Sequence, residues 1–153
     1  MPSPSKAQAG RGAKVSIGPA AGTSSPTFVL IGEVAEAGLN PPTWGTDDVT
    51  NLDSLNDGEF LTTIREGGET SLTINRVGGD AGQIALLAAS ATGALYMFKI
   101  EYPKSALQTT VGDADSFNAL VLSAGDRKIS PKSKISLTIK LKISGQVTET
   151  AGS

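Results

Sequence analysis

From Ile135 to Ser144 the chain alternates without a break. Ile135, Leu137, Ile139, Leu141 and Ile143 fall on one side of a period of two, and Ser136, Thr138, Lys140, Lys142 and Ser144 on the other. That period belongs to a β-strand with one buried and one wetted face. Each of these five aliphatic side chains contributes at most ~1.5–3 kcal/mol on burial. A strand this long needs a partner along its length, because bare backbone N–H and C=O groups template aggregation. It lies inside a sandwich, or its edge pairs with another subunit. Similar runs predict strands over Thr27–Val34, Glu69–Val77, Leu95–Tyr102 and Ser116–Ser123, with a short one at Gln108–Gly112. Gly32 inside the first marks a bulge or a close backbone approach. One helix interrupts the β pattern. Asp80 is its expected N-cap, Ile84, Leu87, Ala88 and Ala91 its apolar face, and Gly93 its C-terminal stop.

Between the first two strands, residues 38–69 read as a long inter-strand loop. Gly38, Asn40, Pro41 and Pro42 break the chain. Asp47–Leu52 and Glu59–Ile64 have short strand character, Asn56-Asp57-Gly58 is a turn signal, and Glu66-Gly67-Gly68-Glu69 reads as a second turn. Loops beyond roughly 12–15 residues are usually functional or disordered. This one carries Trp44, Val49, Leu52, Leu55, Phe60 and Ile64, which a disordered linker lacks, so its apolar side chains are expected to be buried against something, another chain included. Trp44 fits an interface anchor or a cap over the domain's own core. The organisation expected is a flexible Pro/Ser/Gly/Ala-rich arm over residues 1–25, a single β domain over 26–149 containing the 38–69 loop, and a C-terminal tail over 150–153.

Composition narrows the chemistry. The 153 residues include no histidine and no cysteine. Ser-His-Asp triads, thiol nucleophiles, ordinary zinc sites and disulfides are therefore excluded. Aromatic residues make up 5%, too few for a base- or sugar-stacking surface. No run of ~18 apolar residues is present to span a membrane, and the first fourteen residues lack the apolar core of a secretory signal.

The net charge of −2 hides a strong asymmetry. From Glu33 to Asp80, ten acids (Glu33, Glu36, Asp47, Asp48, Asp53, Asp57, Glu59, Glu66, Glu69, Asp80) face two bases, Arg65 and Arg76. Arg127, Lys128, Lys132, Lys134, Lys140 and Lys142 form a stretch with no acid, and Lys6, Arg11 and Lys14 stand unopposed near the N-terminus. Nucleic-acid binding, head-to-tail association and two merely solvated faces all fit this pattern.

Individual motifs for chemistry fail. Asp53, Asp57 and Gly58 suggest a calcium loop, but Leu55 and Ile64 occupy its third and twelfth positions, where oxygen ligands are required. Asp47 with Asp48, and Asp113 with Asp115, offer paired carboxylates of the kind a glycosidase uses. Strand neighbours point to opposite faces, and nothing argues for a raised pKa. Gly67-Gly68 and Gly78-Gly79 match no phosphate-binding fingerprint. Lys140 and Lys142 share a face with Thr138 that meets either phosphates or solvent.

One linear pattern organises these pieces. FVLIGEV is followed by an acidic stretch with DDVTNLDS, then EFLTTIREGGETSLTIN, a single helix, and KISLTIKLKISGQVTE. The order Asp48, Val49, Thr50, Asp53, Ser54, Gly67, Gly68, Glu69 before the helix resembles the major tail tube proteins of long, flexible-tailed (siphovirus-type) bacteriophages, over about Thr27–Glu149. Ile64-Arg65-Glu66 departs from the pattern, where a more Gly- and Pro-rich turn is expected. The resemblance implies a mainly β, sandwich- or barrel-like subunit with one flanking helix, a long inter-strand loop and an extended N-terminal arm. It implies rings of six copies whose strands join into an inner barrel, stacked into a virion tube through which genomic DNA passes. It also implies tape measure, tail tip and terminator proteins as partners, assembly in the bacterial host cytoplasm, and no catalysis, cofactor, metal or membrane. The stacking loop would use Trp44, Asp47, Asp48, Val49, Thr50, Leu52, Asp53, Leu55, Phe60, Gly67, Gly68 and Glu69. The basic stretch from Arg127 to Lys142 would be its complement. A non-polymerising decoration or adhesin-like module is the alternative.

Overall fold

A computed structural model of the chain describes residues 8–123 and 125–153. The alternating run lies inside its longest strand. In chain order the elements are β1 (Lys14–Ala20), β2 (Val29–Leu30), β3 (Val34–Asn40), β4 (Thr43–Asp48), β5 (Phe60–Glu66), β6 (Glu69–Asn75), α1 (Ala81–Thr92), β7 (Leu95–Glu101), β8 (Ala114–Val121), β9 (Asp126–Ser130) and β10 (Ser133–Thr150). β10 is interior to the sheet. It pairs with β6 on one side, and with β9 and then β8 in succession on the other. Leu137, Ile139, Leu141 and Ile143 are buried as the alternation requires.

The main sheet is antiparallel, in the order β2-β1-β7-β8-β10-β6-β3. Its two end strands, β2 and β3, are separated in the chain by only Ile31, Gly32 and Glu33. So short a link spans at most ~15 Å at ~3.3–3.6 Å per residue. A flat sheet of this width is impossible, and the sheet rolls into a barrel-like form around its core. Phe98 and Phe117 stack at 5.8 Å between ring centroids within that core. The closing link is clasped by the start of the helix. Asp80 Oδ2 accepts from Gly32 N at 3.1 Å and from Gln83 N at 3.0 Å. The buried Gln83 side chain accepts from Val77 N and donates to the carbonyls of Gly32 and Asn75, each at 3.0 Å. The expected N-cap at Asp80 is thus present, and Gly93 closes the helix at φ 68.

Several expectations are corrected. The Thr27–Val34 strand is only two residues long, because Asp80 and Gln83 take the backbone groups of Gly32 and Glu33 turns at φ 58. The 1–25 arm is not flexible throughout: β1 pairs with β7, and Val15 and Ile17 are buried. Lys6 lies outside the described residues. The helix buries Gly82, Gln83, Leu86 and Ala89, leaving Ile84 exposed. Gly82 decides this, since a Cβ there would lie 2.1 Å from the Leu30 carbonyl oxygen. The close approach turns that side inward. Gln108–Gly112 forms no strand; the amides of Thr109, Thr110 and Val111 donate instead to the Ser153 carbonyl, and β10 itself reaches Thr150. β9 was not foreseen, because DRKIS carries no apolar period.

Replacing Gln83 with Leu keeps the volume but leaves three backbone groups without their partner. Stability in urea is expected to fall by about 2–4 kcal/mol. Ile84→Ser, on the exposed face, is expected to stay within about 0.5 kcal/mol of the parent. The reverse ranking, measured on unassembled protein, would show that the helix packs by the face read from periodicity.

Candidate assembly surface

The 38–69 segment is not a loop in the ordinary sense. β3 and β6 pair in the main sheet up to Asn40↔Glu69, and β4 and β5 continue the same two strands outward as a hairpin. Pro41-Pro42 on one strand lies across from Gly67-Gly68 on the other. Gly67 and Gly68 adopt φ 83 and 94, and a Cβ on Gly68 would meet Pro42 at 2.9 Å. The second expected turn is therefore a hinge in a continuing ribbon. Gly68 also accepts from Ile143 N at 3.0 Å, so the hairpin leaves the barrel where the β6–β10 ladder ends.

Along the hairpin Trp44 faces Arg65, Asp47 faces Leu61 and Asp48 faces Phe60. Trp44 is 60% exposed, with the Arg65 guanidinium 5.4 Å from its ring, which excludes a cap over the core. The tip, 49–58, is held by its own polar side chains. Asp48 accepts from Thr50 N at 2.9 Å, and Thr50 Oγ1 accepts from Glu59 N at 2.8 Å. Asn51 Oδ1 accepts from Asp53 N, and Ser54 Oγ donates to Glu59. The Thr50 side chain, and then its backbone N–H, hold the Asp48 carboxyl below its ordinary value. From this ordered tip Leu52 and Leu55 project at 103% and 91% exposure, beside exposed Val49 and Phe60. The acids Asp47, Asp48, Asp53, Asp57 and Glu59 surround them with no base between.

Register divides the basic stretch in two. Arg127 and Lys128 on β9 lie level with Leu137 and Ser136 at the Asn75 end of the ladder, and Lys132 and Lys134 lie beyond it at the β9–β10 turn. Lys140 and Lys142 lie toward the hairpin end, where Lys142 meets Glu69 at 3.9 Å. Arg11 and Lys14 sit elsewhere, Lys14 opposite Glu101 of β7. The acidic hairpin and the basic turn therefore occupy opposite ends of a single strand pair. Among the described residues, β3 and β9 end the run β9-β10-β6-β3 and are each paired on one side only, as are β2 at the far end of the main sheet and the two hairpin strands.

The other candidate carboxylates are occupied structurally. Asp113 accepts from Gln108 Nε2 and Gly152 N. Asp115 accepts from the Tyr102 hydroxyl, whose pKa is pushed up to about 12, first by burial and then by that hydrogen bond.

A family model described as lambda phage tail tube protein, TTP, matches residues 16–150. No protein with a curated description matches. Among solved structures, the SPP1 tail tube superposes with a TM-score of 0.66 at 16% identity, covering 92% of this chain and 77% of that one. The tail of an empty gene transfer agent particle, refined helically with C6 symmetry, gives 0.69 at 18% identity, covering 95% and 100%. The six-fold symmetrised baseplate of the anti-feeding prophage gives 0.66 at 11% identity, covering 99% and 98%. At these identities the likeness is one of fold.

Asp48→Ala is expected to speed exchange of the Thr50 amide while leaving the global unfolding midpoint unchanged. A lowered carboxyl pKa stabilises above the ordinary aspartate value and is lost as pH falls through the lowered one. The Asp48 carboxyl is thus expected to titrate below 3.8 by NMR, with the tip loosening only under that acid condition. A midpoint above 3.8 would mean that the Thr50 contacts do not form in solution.

Proposed function

The chain belongs to the lambda phage tail tube protein family, and we propose from that premise how its own surfaces build the tube. It is a structural virion protein that polymerises, and its proposed work is to complete neighbours and carry out no reaction. The observation that carries this reading is the pair of open edges on one four-stranded run, β9-β10-β6-β3. Pairing β3 of one copy with β9 of the next satisfies both edges and extends the sheet around a ring.

Strand spacing fits a ring of six. Six copies giving four strands each at about 4.8 Å per strand close a barrel roughly 37 Å across, wider with tilt. Three copies close at roughly 18 Å, which inward side chains would fill. Six leave a bore for duplex DNA. The polar face of the run would line that bore: Glu36, Thr73, Thr138 and Asp126 form one row across it, and Lys142 and Glu69 neutralise each other in another. Lys140 and Lys128 would stand on the same face and be offset by Glu36 and Asp126, so the lining would be near neutral and would not hold phosphates strongly.

Along the axis, the acidic hairpin of one ring would meet the basic turn of the next, with Arg127, Lys128, Lys132 and Lys134 as its complement. Trp44, Val49, Leu52, Leu55 and Phe60 supply apolar area, Asp47, Asp48, Thr50 and Asp53 shape and charge the tip, and Gly67, Gly68 and Glu69 set its angle. The segment containing Arg11 and Lys14 adds a further contact between copies. Tail-end, terminator and tape measure proteins would meet the same surfaces at the ends and in the bore. Assembly would take place in the host cytoplasm.

Purified protein is expected to form rings and hollow tubes by electron microscopy as concentration rises. Leu52→Ser with Phe60→Ser is expected to leave a folded monomer that forms no tubes. A parent protein that stays monomeric at all concentrations favours a decoration module, and unfolding of the double variant would place these residues in the core.

A further inference from the structure

The core-facing row of β10 continues past the end of the barrel. Leu137 through Ile143 are covered, but Ile135, next in the row, is 43% exposed. Ile129 is 73% exposed on β9, two residues beyond the Arg127↔Leu137 pair, where a register shift sets it against Lys134 and Ile135 of β10. Arg76 N donates to the Ile135 carbonyl at 2.9 Å, so this apolar pair adjoins the end of β6. Both side chains are open to solvent, and Arg127 on β9, Lys134 on β10 and Lys132 between the two strands lie next to them along the chain. Seven paired residues of β6 away, at the other end of the ladder, the hairpin carries Leu52 and Leu55 among Asp53, Asp57 and Glu59.

We infer that the Ile129–Ile135 patch is the seat for the Leu52–Leu55 tip of a second copy of this chain in the adjacent ring. This rests on the tube reading above and names the receiving surface. The two surfaces match in kind: two exposed aliphatic side chains in a stretch with bases and no acid, and two in a stretch with acids and no base. Apolar contact excludes water, and the opposed charges fix the register and disfavour tip-to-tip or seat-to-seat docking. The tip is already ordered by its own hydrogen bonds, so docking immobilises little that was free. Because tip and seat lie at opposite ends of one strand pair, a copy does not satisfy its own seat. The contact is heterologous and repeats without closing.

The chain contains no cysteine, which makes the test clean. Leu55→Cys and Ile129→Cys are placed together in the full chain, tubes are assembled, and a mild oxidant is added. The expected result is a ladder of disulfide-linked dimers, trimers and higher species on a denaturing gel, absent for either single variant. Leu55→Cys with Ile84→Cys, which puts the second thiol on the exposed helix face, is expected to give no ladder. Tubes without a ladder, or an equal ladder from the Ile84 control, overturn the seat while leaving the tube reading intact. Should the double variant fail to assemble, each single variant is diluted separately into excess parent protein and the two pools are copolymerised. Dimers then support the seat, and their absence from tubes containing both variants overturns it. Parent protein that forms no rings or tubes sinks the underlying reading instead.

Discussion

The β6–β10 ladder gives the molecule its direction. Seven consecutive residue pairs, Glu69↔Lys142 to Asn75↔Ser136, fix which way every other feature points. At the Glu69 end β6 and its neighbour β3 run on into the hairpin, and at the Asn75 end β10 folds back on β9. A slip of one residue would turn Leu72, Ile74, Leu137, Ile139 and Leu141 out of the core. It would also break the alignment that puts acids at one end and bases at the other. The clasp by Asp80 and Gln83 is the second constraint. It holds the short link that closes the rolled sheet.

A barrel so constrained leaves a great deal uncovered. Trp44, Leu52, Leu55, Phe60, Leu61 and Ile64 are all exposed on one hairpin. Isolated exposed leucines are ordinary in soluble proteins, but a cluster on a hydrogen-bonded tip marks an interaction site. Burying Leu52 and Leu55 alone offers about 3–6 kcal/mol per contact before losses to ordering. Repeated for every copy in a ring, that modest surplus suffices to order a polymer. The charges add direction and register more than affinity, as expected for exposed pairs such as Lys142–Glu69.

Local signals in the sequence were read correctly wherever one stretch of chain contained the whole cause. The alternation in β10, the Asp80 cap and the Gly93 stop are of that kind. The helix face was not legible, because an alanine-rich helix offers two apolar stripes and the choice was made by Gly82 against Leu30 and Ile31. Pro41-Pro42 and Gly67-Gly68 were read as breaks because their pairing across the hairpin is invisible in one dimension. β1 was hidden by the Gly-, Pro- and Ser-rich residues around Val15 and Ile17. In the assembly surface, the greasy and acidic character of the hairpin was plain from composition. The separation of Lys140 and Lys142 from the other bases depends on register, and Ile129 and Ile135 carry no motif at all.

The central claim is that one copy is incomplete at two strand edges and at the hairpin tip, and that other copies complete it. Hydrogen–deuterium exchange of unassembled protein against assembled tubes tests this most directly. The account expects the outward amides of β3 and β9 to exchange quickly in the free subunit and to gain protection in the tube, and the amides of the tip, already hydrogen-bonded within it, to slow further there. β10 between Leu137 and Ile143 should be slow in both. Tubes in which β3, β9 and the tip exchange as fast as they do in the free subunit would contradict it.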